Sequence, residues 1–276
     1  MRPATATFEA EVNTDSKIRV EGVSKNHLRD GKPLQVLRDV EFFASDGEFV
    51  SIIGPSGCGK STLLNIIAGL DEPTTGVIYL NGQRAEKRLG AVGYMQQKDL
   101  LFPWRTVMDN AILGLELQGV SRPEARARAS DLMEQFGLSG FESEYPYALS
   151  GGMRQRVSFL RTVLADQEIF LLDEPLSALD ALNRAQIQVW MQEMWQSMNK
   201  TIVLVTHDVD EAVFLSDRVY VMTARPGQMK LALHIDLPRP RTLEMVTDAS
   251  FVSFKASLLA SIREEGILNQ QEKPAR

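Results

Sequence analysis

One octapeptide constrains this chain more than anything else in it. Gly54-Pro55-Ser56-Gly57-Cys58-Gly59-Lys60-Ser61 follows the apolar stretch Glu48 to Ile53 and opens a helix-like stretch, Thr62 to Leu70. Strand, glycine loop and helix in this order fit the phosphate-loop pattern G-x-x-x-x-G-K-[ST], which without that context would be only a glycine-rich turn. The glycines let backbone N–H groups converge on an anion, the helix N-terminus adds partial positive charge, and Lys60 supplies a mobile cation. Ser61 is the expected hydroxyl ligand for Mg²⁺, and Thr62 continues the cradle. Cys58 inside the loop has two readings, a small side chain that fits, which we favour, and a thiolate activated by the helix terminus and Lys60 whose alkylation would block nucleotide binding.

A second element supports the first. Ile169-Phe170-Leu171-Leu172 runs into Asp173-Glu174, and Ile202-Val203-Leu204-Val205 is a similar run, with a helical stretch from Leu182 to Met198 between them. Such runs suit strands buried on both faces of a parallel sheet, whose carboxyl edge is where α/β proteins bind ligands. A strand ending in Asp-Glu is ordinarily just a solvated strand end. Beside a phosphate loop, Asp173 suits a Mg²⁺ shell and Glu174 a general base acting on water. Leu149-Ser150-Gly151-Gly152-Met153 is a third element, a turn opening a helix whose free N–H groups can face an anion or simply be capped.

Other segments divide the chain. Residues 1–17 read as a flexible leader. Ile18, Val20, Val23 and the stretch Val36 to Phe43 read as short strands, and Gly76 to Leu80 with Asn81-Gly82 as a strand and turn, with Leu89 to Met95 as its returning strand. Residues from about 98 to 160 read as a helical insert, including Arg122 to Phe136, within a domain spanning 18–241. Residues 242–276 read as a C-terminal helix and mobile tail.

Composition then removes whole classes of function. With 30 Lys+Arg against 36 Asp+Glu the net charge is −6, and no basic patch of the kind needed to neutralise a phosphate backbone is visible, so no nucleic-acid partner is expected. No apolar run exceeds four residues, against roughly twenty for a spanning helix. The start carries Glu9, Glu11 and Asp15 without an apolar region and does not read as a secretory signal. One cysteine excludes an internal disulfide framework and a cysteine zinc cluster. Metal is therefore expected on oxygen ligands.

Taken together, GPSGCGKS, LSGGM, the acidic pair, Ser177-Ala178-Leu179-Asp180 and Thr206-His207-Asp208 resemble the ATP-binding cassette family. Ser150 precedes Asp173 by 23 residues (173 − 150), and the resemblance runs from Ile18 to about Arg241. It implies an α/β P-loop NTPase fold, a RecA-like core with an antiparallel β subdomain and an inserted α-helical subdomain, with ATP and Mg²⁺ as cofactors. It also implies a head-to-tail dimer, with a second copy or a related cassette, in which Ser150, Gly151 and Gly152 reach the γ-phosphate of the partner's ATP. By the same resemblance Asp180 belongs to an inter-subunit loop, although a helix cap is its plain alternative. His207 is the switch histidine, and Gln97, rather than its neighbour Gln96, is the Mg²⁺-sensing glutamine. His27, in Val23-Ser24-Lys25-Asn26-His27, stands where the family stacks adenine on Tyr or Phe.

LFPWRTV after Gln97, together with ARPG and DLPRPR, resembles the importer branch that handles nitrate, sulfonates, taurine or bicarbonate. That branch implies two membrane permease subunits, a periplasmic or extracellular solute-binding protein, and a peripheral position on the cytoplasmic face of the membrane. Phe102 and Trp104 are placed near the permease contact, or alternatively in the core of the insert. A cassette ATPase of repair or translation is the competing reading, but the long coiled coils, zinc inserts or second cassettes of such proteins are not found here. A small-molecule P-loop kinase would lack LSGGM.

Overall fold

The computed structural model describes residues 16–29 and 31–271, with side chains to Glu265. The leader expected over 1–17 falls outside these limits except for Ser16 and Lys17, and so do residues 272–276 of the expected tail.

The chain opens with two long strands, β1 (Ile18–Arg29) and β2 (Lys32–Ala44), followed by β3 (Phe49–Ile53), α1 (Lys60–Ala68), β4 (Thr75–Leu80), β5 (Gln83–Arg84) and β6 (Gly93–Met95). Four helices come next: α2 (Val107–Ala111), α3 (Leu113–Leu117), α4 (Arg122–Met133) and α5 (Gly151–Leu164). Then follow β7 (Ile169–Asp173), α6 (Ala181–Met198), β8 (Thr201–Val205), α7 (Val209–Leu215), β9 (Arg218–Met222), β10 (Met229–His234) and α8 (Ala249–Gln271).

The strands form two sheets. One is antiparallel, in the order β2-β1-β4-β5, and the other runs β10-β9-β3-β8-β7-β6. In the larger sheet only β10 is antiparallel to its neighbour. This is the mixed α/β architecture expected of a P-loop NTPase, with the antiparallel sheet as its β subdomain.

The larger sheet separates two apolar cores, and strand alternation assigns residues to them. Phe49, Ile53, Phe170, Leu172, Ile202, Leu204, Val219 and Val221 point into the core covered by α5, α6, α7 and α8. Val50, Ile52, Ile169, Leu171, Val203, Val205, Tyr220 and Met222 point into the other, against α1 and the antiparallel sheet. Both faces of β3, β7 and β8 are therefore buried, which is why their sequences are unbroken apolar runs rather than alternating ones.

The stretch Leu89 to Met95 is not the returning strand of β4. Asn81 and Gly82 both take left-handed conformations, φ 53° and 72°, the geometry that matches a two-residue hairpin to strand twist. The return is the two-residue β5, pairing Leu80 with Gln83. Gly93–Met95 instead runs parallel to β7 in the larger sheet. A three-residue apolar pattern does not encode its partner strand, which is chosen by tertiary packing.

Candidate active site

Five parallel strands end at one edge of the larger sheet, and each is followed there by a polar segment. In spatial order, β9 leads to Thr223-Ala224-Arg225, β3 to the phosphate loop, β8 to Thr206-His207, β7 to Asp173-Glu174 and β6 to Gln96-Gln97. Segments spread over more than 160 residues of sequence are brought side by side because parallel strands deliver every loop of one kind to the same edge.

The phosphate loop wraps a cleft of about 240 Å³ whose wall includes Ser56, Gly57, Gly59, Lys60, Ser61 and Thr62, with Gln97 and Glu174 from the neighbouring strands and Val36 and Arg225 from outside the motif. Gly59 sits at φ 117°, and a Cβ there would lie 2.6 Å from Leu37 Cδ2, so both conformation and packing require glycine. It precedes α1 without any side-chain cap, which leaves the amides of the first turn available to an anion. Lys60 Nζ donates to the carbonyls of Gly54 (2.9 Å) and Pro55 (3.0 Å), so the ammonium spans the loop it serves.

Cys58 is buried, and desolvation pushes its thiol up despite the lowering fields of Lys60 and Arg225. Burial thus favours the reading of Cys58 as a small side chain that fits over that of an activated thiolate. The small side chain belongs to the same buried apolar core as Val36, Leu37 and Met222.

Asp173 is buried at the end of β7, accepts a hydrogen bond from Ser61, and has its pKa raised, first by desolvation and then by the neighbouring charge of Glu174. Among the described residues no group of three or more His, Cys, Asp and Glu is arranged to hold a metal. Ser61 and Gln97 both line the cleft, and the Asp173 carboxylate accepts from the Ser61 hydroxyl. That set suits a hard cation such as Mg²⁺, whose charge would relieve the crowding of the two carboxylates.

Glu174 has a left-handed backbone, φ 50°. Its N–H donates to the Val205 carbonyl (2.9 Å), and its own carbonyl accepts from Gln155 Nε2 (2.9 Å) and Ser177 Oγ (3.0 Å). This framework holds the carboxylate at the cleft. Gln97 Nε2 donates to Glu174 Oε2 at 3.1 Å, and His207 Nδ1 stands 3.5 Å from the same oxygen. The imidazole is 62% exposed.

Other expected residues lie elsewhere. Ser150 caps α5, accepting from the Met153 N–H at 3.3 Å. Ser150, Gly151 and Gly152 line no part of this chain's own cleft, and both Ser150 and Gly151 are exposed. Asp180 caps α6 through the Asn183 N–H (3.0 Å) and Asn183 Nδ2 (2.5 Å), which also hold its carboxyl below the usual range. His27 is exposed on β1 opposite Leu34 and is not among the cleft residues.

Sequence reasoning did not find Val36 or the placement of Arg225. By sequence ARPG reads only as a branch marker, although its position after the apolar run Val219 to Met222 is the same signal that identifies the acidic pair. DLPRPR has a structural explanation: Arg239 pairs with Asp217, and the buried Arg241 donates to carbonyls at the end of α7. Trp104 is 72% exposed and stacks on Phe102 with ring centroids 5.1 Å apart, so Trp104 is not core.

Comparison with known proteins agrees with this geometry. The family model described as ABC transporter matches residues 37–177. An ABC transporter ATP-binding protein of Methanocaldococcus jannaschii, MJ0412, is 44% identical over 249 residues, 90% of this chain and 92% of that one. The aliphatic sulfonates import ATP-binding protein SsuB of Bacillus cereus is 39% identical over 251 residues, 91% and 98% of the two chains. The formylaminopyrimidine import ATP-binding protein ThiZ of Halalkalibacterium halodurans is 40% identical, covering 84% and 92%. Among solved structures, the post-hydrolysis dimer of the ATP-binding cassette MJ0796 with ADP and Pi superposes with TM-score 0.74 at 30% identity, over 80% of this chain and all of that one.

Proposed function

This chain belongs to the ABC transporter family and is an ATPase subunit of the importer type, and from that premise we propose that it drives uptake of a small solute through a membrane permease. Two copies, or one copy and a related cassette, would close head to tail on two ATP molecules. The observation that carries this reading is the separation within one chain of two complementary halves: a phosphate cleft with its acidic pair, and an exposed signature turn, Ser150 to Gly152, that lines none of it. A twofold pairing that lays one chain's signature on the other's cleft is the simplest closed assembly.

In the proposed reaction, the loop amides and Lys60 hold the β- and γ-phosphates of ATP. Ser61, Asp173 and Gln97 would hold Mg²⁺, which when bound supplies charge neutralisation at the phosphate oxygens. Glu174 takes a proton from water as the water oxygen attacks the γ-phosphorus in line and the bond to ADP breaks. Gln97 holds the Glu174 carboxylate through Oε2, with His207 beside the same oxygen, and Lys60 with the partner's signature stabilises the charge that develops. Asp180 would act at the same interface. His27 would meet adenine only if closure or nucleotide carries the β1–β2 hairpin over the cleft.

No described helix is long and apolar enough to cross a membrane, so a permease contact would be made from the membrane surface. The exposed Trp104, stacked on Phe102 in the segment after Gln97, is the surface proposed for it, on the cytoplasmic face. The substrate class we favour is the sulfonate, nitrate and taurine group, with a solute-binding protein on the far side. SsuB, a relative over nearly the whole chain, is named for aliphatic sulfonates, and ThiZ for formylaminopyrimidine.

The test is purification of the tagged chain from membranes of its own cells, with ATP turnover measured with and without the co-purifying integral-membrane subunit. A stoichiometric permease that changes turnover supports the proposal. A chain that turns over ATP but brings no membrane subunit contradicts it.

A further inference from the structure

The loop Thr223 to Gln228, between β9 and β10, touches the phosphate loop directly. Arg225 Nε and Nη2 both donate to the carbonyl of Gly57, at 3.1 and 2.7 Å, and the guanidinium forms part of the cleft wall. The rest of the loop is tied down on two sides. The Gly227 N–H donates to the Val36 carbonyl (2.8 Å), and the Gly227 carbonyl accepts from the Arg38 N–H (3.0 Å). Gly227 is packed so closely that a Cβ there would lie 2.3 Å from the Cys58 carbonyl oxygen. On the other side, the Ala224 N–H donates to Glu265 Oε2 of α8 at 3.1 Å, and Glu265, itself buried, pairs with Lys230 at 2.9 Å.

A peptide unit is planar, so fixing its carbonyl fixes the N–H on the opposite side. With the Gly57 oxygen held outward by a charge-assisted pair of hydrogen bonds, the Cys58 N–H is turned into the loop, where it donates to the Pro55 carbonyl at 3.3 Å. The loop thus keeps its anion-cradling shape through a contact from outside the motif. The guanidinium also adds positive charge at the cleft wall, where Lys60 is otherwise the cation from the motif.

We propose that Arg225 is a positioning residue of the nucleotide site, presetting the Gly57–Cys58 peptide for phosphate, and that Glu265 holds Arg225's loop in place, making the C-terminal helix part of that site. This rests on the reading of the cleft as the ATP site. Because the contact is preset and is made to the Gly57 carbonyl rather than to Glu174, it acts on nucleotide affinity rather than on the chemical step.

The experiment uses the full chain, titrated with Mg-ATP, with KM, kcat and melting temperature measured alongside. Arg225→Ala is expected to raise Kd and KM about 10-fold or more, the effect of losing charged hydrogen bonds, while kcat at saturation stays within about 3-fold. Millimolar guanidinium ion should restore affinity to Arg225→Ala, which a loss of mere structural packing would not allow. Glu265→Ala should raise Kd in the same direction and not add to Arg225→Ala, whereas Glu265→Gln, which keeps an acceptor for Ala224, should bind as the wild type does. An Arg225→Ala chain with wild-type Kd and KM overturns the proposal, as does a loss of affinity that follows melting temperature and ignores guanidinium. Lys60→Ala serves as the control for the cleft: if it abolishes ATP binding while Arg225→Ala does not weaken it, the cleft assignment stands and this one fails. A wild-type chain that binds no ATP overturns both.

Discussion

Gln97 and His207 meet on a single atom of Glu174: the glutamine amide donates to Oε2 at 3.1 Å, and the imidazole Nδ1 stands 3.5 Å from the same oxygen. These residues come from the ends of β6, β8 and β7, and the carboxylate they share is aimed at the cleft over the phosphate loop. A base so held should be replaceable in shape but not in basicity. Glu174→Gln keeps the side-chain oxygen and the left-handed backbone tolerance, and should bind ATP normally while turnover falls about 10²- to 10⁴-fold, the range for losing a general base. Phosphate release and gel filtration with ATP would read both, the variant accumulating as a nucleotide-bound dimer. Full turnover would remove Glu174 from the proposed role.

Cys58 should be inert in the folded chain. It is buried, with its thiol pushed up by desolvation, so iodoacetamide at neutral pH should label it about 100-fold or more slowly than in the denatured chain, as expected for a group reached only through local opening. Mass spectrometry suffices, since the chain has one cysteine. Labelling at the denatured rate would restore the reactive-thiolate reading.

Glu211 makes stability depend on pH. It is buried on α7 with its pKa raised from 4.5 to about 7, first by desolvation and also by Asp208 and Glu174, against the lowering effects of its Thr206 hydrogen bond and of Arg184. Its Oε1 finds no hydrogen-bond partner among the described residues. The folded state therefore holds this proton more tightly than the unfolded chain does. The cost of ionising it is fully present above about pH 7 and is relieved as pH falls toward 4.5, so this group alone makes the fold more stable with falling pH. Glu211→Gln should flatten that part of the profile, raising melting temperature at pH 8 relative to wild type and narrowing the difference near pH 5. An unchanged slope between those pH values would refute the assignment.

Arg241 should be the costliest single truncation outside the cores. Its Nη1 donates to the carbonyls of Val213 (2.7 Å), Phe214 (3.2 Å) and Ser216 (2.8 Å), and Nη2 to Ile235 (3.2 Å). Burial lowers its pKa to about 10, still well above neutrality, so the cation caps the C-terminal end of α7 where the helix dipole favours it. Arg241→Ala would orphan several buried carbonyls, at about 1–3 kcal/mol each before relaxation. Denaturant unfolding should show a loss of at least about 3 kcal/mol, with Arg241→Lys recovering part of it. A loss under about 1 kcal/mol would mean that water replaces the guanidinium.

Much of the fold and site was readable because its signals are local. The runs at 169–172 and 202–205 read as buried parallel strands because nothing polar interrupts them, and the phosphate loop because its glycines, lysine and serine must be contiguous to wrap one anion. The residues around 89–95 misled because three apolar positions look the same whichever strand they join. Arg225 follows an apolar run as the acidic pair does, but nothing local tells that it turns onto the phosphate loop, and Val36 is one apolar residue among many in β2; only the packing of these segments brings both to the cleft.

What the sequence determined by itself is the chemistry that one segment can carry: a loop for phosphate, an acidic pair at a strand end, a capped turn before α5, and an α/β order of elements. The tertiary structure decided which of these meet. It joined Gln97, Glu174 and His207 on one oxygen, kept Ser150 to Gly152 away from their own chain's cleft, buried Cys58, and set Arg225 against Gly57. The physical reason is that contiguous patterns are written by backbone geometry over a few residues, whereas the order of strands in a sheet is settled by packing between segments far apart in the chain.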